Sequence, residues 1–131
     1  MSPAEAFNTQ PGNSEHVILV VDDESGIREF LAAYLQSKDF KVFTACSAEE
    51  AFKLWPEIRS DVGLLITDII MPGMHGQLLA EKLCADNPDL EVIFMSGYLP
   101  EEIAEEKLGG TFFRKPFHPH ELLRAIRQAL H

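Results

Sequence analysis

Long apolar runs are missing from this chain of 131 residues; none approaches the about 18 residues of a membrane-spanning helix. Basic charge is scarce as well. Eleven Lys and Arg stand against 21 Asp and Glu, for a formal charge of −10. Such a surface repels phosphate backbones and argues against direct nucleic-acid binding. Cysteine is limited to Cys46 and Cys84, which lack metal or redox spacing. Buried, reduced thiols in a cytoplasmic protein are the expectation. The N-terminus has no basic start leading into an apolar run, so no secretory signal is read there. Neither G-x-G-x-x-G nor a Walker loop occurs, which removes the common glycine fingerprints of nucleotide sites.

What is present fits one domain of ordinary globular composition, 46% hydrophobic and 24% charged. Residues 1–15 are polar, carry Pro3, Pro11 and Gly12 and show no periodicity. They are expected to be a flexible tail or linker, with the folded domain over 16–131. From Val17 on, short β-like runs alternate with helical patterns. Val17–Val21 is continuously apolar, as a strand buried on both faces should be. Ile27, Phe30, Leu31, Tyr34 and Leu35 mark one face of a helix. Lys41–Ala45 is a less apolar strand, nearer an edge. Ser47 and Glu50 form a capping box for a second helix with Ala48, Ala51, Phe52 and Trp55 inward, and Pro56 is expected to end or distort it. A strand over Val62–Thr67, a helix from about Gly76 to Asp86 and a strand over Glu91–Met95 follow. Pro100–Leu108 makes a short acidic helix at best. A strand over Thr111–Arg114 and a helix from Pro119 complete the chain, the latter carrying Leu122, Leu123, Ile126 and Leu130 inward. Five β-α units predict an α/β fold, a doubly wound five-stranded parallel sheet in the order 2-1-3-4-5.

In such a sheet the strand C-termini share one edge, where ligands bind. Four apolar runs end there on polar groups: Asp22-Asp23, Asp68, Ser96 and Lys115. Three carboxylates in one pocket repel each other and need a cation. Mg²⁺ takes one or two protein carboxylates plus phosphate, so Asp23 and Asp68 could bind it directly and Asp22 through water. A carboxylate can also attack phosphorus, and Asp68 sits at the pocket centre. Lys115 offers a point charge and Ser96 a hydroxyl to phosphoryl oxygens. Singly, each residue reads as a turn or cap residue; together, in order, at four strand ends, they read as a phosphoryl-transfer site. His118-Pro119-His120 fits an exposed helix start better than a metal tract.

The pieces Val20-Val21-Asp22-Asp23-Glu24, Thr67-Asp68-Ile69-Ile70-Met71-Pro72-Gly73-Met74-His75-Gly76, Met95-Ser96-Gly97-Tyr98 and Lys115-Pro116-Phe117 together resemble the receiver domain of two-component response regulators, over about Val17 to Leu130. The Met-Ser-Gly-Tyr stretch is similar to receivers of hybrid histidine kinases. The resemblance implies that Asp68 accepts a phosphoryl group from a histidine kinase or a histidine phosphotransfer protein. It implies Mg²⁺ held by Asp22, Asp23, Asp68 and the backbone carbonyl of Ile70. It makes Ser96 the switch hydroxyl, Lys115 the phosphate-contacting lysine, Phe112 the aromatic switch and Lys115–Pro116 a cis bond. Ile70 and Tyr98 would flank the pocket and tune loss of the phosphoryl group. The Ser96-to-Lys115 stretch is short for the family, so the fourth helix, between the last two strands, should be shortened. His118 stands where Ser or Thr often caps the last helix, which should weaken that cap.

Competing classes fare worse. An aspartate-nucleophile phosphatase would want an acid two residues after Asp68, where Ile70 stands. A flavodoxin-like FMN protein would need a phosphate loop where Asp22-Asp23-Glu24 lies. The alternative kept open is a receiver-like protein-binding module that phosphorylation does not regulate. The expectation is a phosphorylatable protein that turns over no external substrate, and so is not an enzyme in the usual sense.

Overall fold

Strand β1 (Val17–Val21) is buried at every residue, and strand β3 (Val62–Asp68) at all but Gly63. Only strands with helices on both faces need such continuous apolarity. In the computed structural model, which describes residues 16–130, these two strands form the middle of one sheet. The remaining strands are β2 (Lys41–Ala45), β4 (Glu91–Ser96) and β5 (Thr111–Arg114). All neighbours are parallel and the order is β2-β1-β3-β4-β5, as expected. The two edges, β2 and β5, are the strands with most exposure. The expected tail over 1–15 lies outside the described residues, as does His131.

Among the described residues four α-helices cover the sheet: α1 (Ser25–Gln36), α2 (Ala48–Ile58), α3 (Gly76–Asp86) and α4 (Pro119–Leu130). Alternation along each strand feeds two cores. Val17, Leu19, Val21, Val92 and Phe94 face α2 and α3. Ile18, Val20, Leu64, Ile66, Ile93 and Met95 face α1 and α4. The β1–β3 register shifts by one residue between Val17 and Ile18, so Gly63 is passed over. Leu64 and Leu65 thereby fall into opposite cores despite the extra residue.

Several local expectations need correction. Helix α2 does not stop at Pro56 but runs to Ile58, because the ring forfeits a single late hydrogen bond while Arg59 N still donates to the Trp55 carbonyl. Its cap is a displaced box: Glu50 N donates to Ser47 Oγ, and Glu50 Oε1 accepts from Cys46 N rather than from Ser47 N. Phe30 is 48% exposed and stacks on Tyr34, because Leu31 and Leu35 alone take the buried centre of the α1 face. Phe52 is only partly buried against the core. Cys46 is exposed rather than buried. At the start of α4, His118 Nδ1 accepts from His120 N at 3.2 Å, where a Ser or Thr oxygen would otherwise serve.

Between β4 and β5 the expected shortening is complete among the described residues. One 3₁₀ turn, Glu105–Lys107, stands where the other crossovers carry a helix. Leu99, Ile103 and Leu108 close that face of the sheet.

Candidate functional site

The strand order places the C-terminal ends of β1 and β3 side by side, and the loop that follows β5 brings Lys115 to them. Lys115 Nζ donates to Asp22 Oδ2 at 2.8 Å, to Glu24 Oε1 at 2.9 Å and to Asp68 Oδ2 at 3.0 Å. The Lys115–Pro116 bond is cis. Lys115 N donates to the Ser96 carbonyl, so β4 and the start of the last loop are pinned together.

Each carboxylate has its own support. Asp22 directly follows β1, is fully buried, and takes Glu24 N on its second oxygen at 2.9 Å. Arg28 Nη1 donates to the Asp22 carbonyl at 2.7 Å and so ties α1 to the same turn. Asp68 ends β3; Ile70 N donates to its Oδ1 at 3.2 Å. The Asp68 main chain is gripped too. Thr67 Oγ1 donates to its carbonyl, and Gly76 N reaches the neighbouring Ile69 carbonyl at 2.8 Å. A Cβ on Gly76 would lie 2.0 Å from the Asp68 carbonyl oxygen, so only glycine permits α3 to start this close.

Electrostatics follow from burial and crowding. Burial pushes the Asp68 carboxyl above its ordinary value of 3.8; the Lys115 ammonium opposes that rise and the Asp22 charge adds to it. Burial would lower Lys115, but its bonds to Asp22, Glu24 and Asp68 outweigh that and hold it above its usual 10.5. The ammonium therefore stays charged throughout the physiological range. Three carboxylates share one fixed cation, and net negative charge remains.

Of the residues singled out in the sequence, Asp22, Asp68 and Lys115 meet directly. Asp23 does not join them: it is exposed, and the third carboxylate on Lys115 is that of Glu24. Oxygens of Asp22, Glu24 and Asp68 all lie within 4.8 Å of one another. Glu24 carried a signal, as the third consecutive acid after β1, but the strand-end argument stops at the first two. Ser96 is buried at the end of β4, one residue beyond the Asp68–Met95 register. Its hydroxyl donates to the Tyr98 carbonyl and accepts from Tyr98 N, so it is engaged with its own loop. Phe112 is half-buried on β5, with the Arg114 guanidinium 6.0 Å from its ring centre. Ile70 and Tyr98 are exposed at 37% and 66%. Among the described residues no helix is long and apolar enough to cross a membrane.

Comparison with known proteins gives a consistent answer. A sequence model described as the response regulator receiver domain matches residues 18–127. The sensor kinase CckA of Brucella abortus is 32% identical over 118 residues, which cover 86% of this chain and 12% of that protein. The response regulator Rre1 of Synechocystis sp. is 38% identical over 120 residues, 86% of this chain and 51% of that protein. The chain thus spans about half or less of the length of these curated relatives. The crystal structure of the response regulator TrrA from Thermotoga maritima, in complex with Mg²⁺ and BeF, is 30% identical with a TM-score of 0.76. The match covers 87% of this chain and 98% of that one.

Proposed function

The chain belongs to the response regulator receiver domain family, and from that premise we propose that residues 16–131 are a phosphoacceptor domain in which Asp68 takes a phosphoryl group. The supporting observation is the Lys115 ammonium bridging Asp22 and Asp68 at the shared edge of the sheet. Receiver domains are in general phosphoacceptors rather than enzymes, and this one turns over no external substrate. The donor is a phosphohistidine on a histidine kinase or a histidine phosphotransfer protein, and the reaction takes place in the cytoplasm.

An oxygen of the Asp68 carboxylate attacks the phosphorus in line. The new P–O bond forms as the P–N bond breaks, and the imidazole nitrogen leaves with the bonding pair. Lys115 donates to a phosphoryl oxygen, and Ser96 leaves the Tyr98 main chain to donate to another. A hard oxygen donor set with Asp22, Glu24 and Asp68 oxygens within 4.8 Å of one another suits Mg²⁺. Asp68, the Ile70 carbonyl and Asp23, whose exposed side chain would have to turn inward, would hold the ion, with Asp22 acting through water. Bound there, Mg²⁺ supplies the charge that offsets the phosphoryl oxygens. Movement of Ser96 frees room for Phe112 to turn inward. The 97–110 crossover, lacking an α-helix, then shifts between two arrangements and changes the surface offered to an output partner.

Intact mass after incubation with Mg²⁺ and acetyl phosphate tests the reading. Gain of one phosphoryl group by the wild type, and none by Asp68→Asn, is expected. No gain in either, with Mg²⁺ bound, would point instead to a receiver-like module that only binds protein.

A further inference from the structure

Lys115 has no donor to spare. An ammonium carries three N–H groups, and all three are spent, on Asp22, Glu24 and Asp68. If Lys115 is to meet a phosphoryl group on Asp68, as the function proposed above requires, one of these bonds must break. The structure ranks them. The Asp22 side chain has no exposure, and releasing it would strand a buried charge. The Asp68 side chain is 8% exposed and carries the incoming group. The Glu24 side chain is 59% exposed, and water can receive its carboxylate at little cost.

We infer that Glu24 is a latch on Lys115: it holds the ammonium in the resting protein and lets go when Asp68 is phosphorylated. The turn after β1 keeps it in reach. Its N–H is tied to Asp22 Oδ1, and its carbonyl accepts Arg28 N at the start of α1, so the backbone stays while the side chain swings. The latch opposes phosphorylation, because the phosphoryl state must first displace it. Glu24 is thus a positioning residue, acting through Lys115 rather than on the reacting atoms.

The test compares wild type, Glu24→Ala and Glu24→Gln over a range of Mg²⁺ concentrations with acetyl phosphate as donor. In that reaction an Asp68 oxygen bonds phosphorus while acetate departs with the electrons of the broken P–O bond. At saturating Mg²⁺, Glu24→Ala should be phosphorylated about two- to fivefold faster than wild type, the range that an exposed ion pair supports. Glu24→Gln, which keeps an acceptor but no charge, should fall between. A second reading needs neither metal nor donor: by NMR, hydrogen exchange of the Lys115 ammonium should quicken in metal-free Glu24→Ala, since one N–H then faces water. If Glu24→Ala is no faster at saturation and merely needs more Mg²⁺, Glu24 is a cation ligand and the latch is wrong. Unchanged ammonium exchange refutes it as well. A wild type that gains no phosphoryl group removes the receiver chemistry and the latch together, whereas a phosphorylated wild type with an equally fast Glu24→Ala removes the latch alone.

Discussion

Gly76→Ala should cripple the protein, while Gly26→Ala should not. Both glycines lie in the first turn of a helix. A Cβ on Gly76 would sit 2.0 Å from the Asp68 carbonyl oxygen and 2.9 Å from both the Asp68 carbonyl carbon and Thr67 Oγ1. The start of α3 must withdraw by about 1 Å to reach even the 3.0 Å below which such contacts are not found. Overpacking of this kind costs about 1–3 kcal/mol. The withdrawal also strains the Gly76 N–H bond to the Ile69 carbonyl, a net loss of about 1 kcal/mol if it breaks. Against this, replacing glycine in a helix returns about 0.5–1 kcal/mol. Destabilisation by about 1–3 kcal/mol remains, or a fall in Tm of about 4–12 °C for a domain of this size. Gly26 meets nothing within 4 Å, so its alanine variant should be as stable as wild type or slightly more so. Urea melts of the two variants decide the matter. The moved backbone is that of Asp68, so phosphorylation of Gly76→Ala by acetyl phosphate should slow by up to about a hundredfold. A Gly76→Ala variant with wild-type stability, or two variants equally damaged, would show that the tight approach is not what the glycine serves.

Other outcomes follow from the same contacts. Lys115→Ala leaves the buried Asp22 and Asp68 facing each other without a cation; stability at neutral pH should drop by about 3–5 kcal/mol in urea melts. That deficit should shrink toward acid pH, since protonation removes the repulsion, and a pH-independent deficit would contradict the account. The Trp55 indole, ahead of the Arg59 guanidinium, holds the Asp86 carboxyl below its usual 3.8. A depressed carboxyl stabilises the fold above its unfolded value and loses that contribution as pH falls through its folded one. The acid side of the stability profile, followed by fluorescence of the sole tryptophan, should therefore flatten in Asp86→Ala. Ile70 and Tyr98 are exposed; on the proposed reading they screen water from the phosphoryl group, so Ile70→Asn and Tyr98→Ala should lose it faster. Unchanged lifetimes by intact mass would dismiss the screen.

Strand positions were readable wherever burial is two-sided. Val17–Val21 and Leu64–Ile66 can be little else than central strands, and the four connections between five parallel strands produce the expected order β2-β1-β3-β4-β5. The meeting of Asp22, Asp68 and Lys115 was readable for the same reason, because strand ends have fixed neighbours. Side chains that choose among partners were not. Glu24 leans back onto Lys115 while Asp23 points to water, a choice that the turn geometry makes and no spacing rule encodes. Ser96 spends its hydroxyl on Tyr98, again a local loop bond. Phe30 matched the helical period but lies at the flank of the α1 face, where periodicity alone does not separate half-buried from buried. The imidazole cap of His118 ran against residue preference, which averages over hosts that lack this particular turn.

The bonds that close the cluster join residues 93, 91 and 47 positions apart, and every one of them runs to Lys115. During synthesis the acids of β1 and β3 leave the ribosome long before their counterion does. Until β5 docks on β4, those carboxylates lack their lysine counterion, and the half-made sheet carries a repulsion that Lys115 relieves. On the proposed reading, a domain truncated before β5 cannot offer a finished acceptor site, and competence to receive a phosphoryl group arrives with that strand.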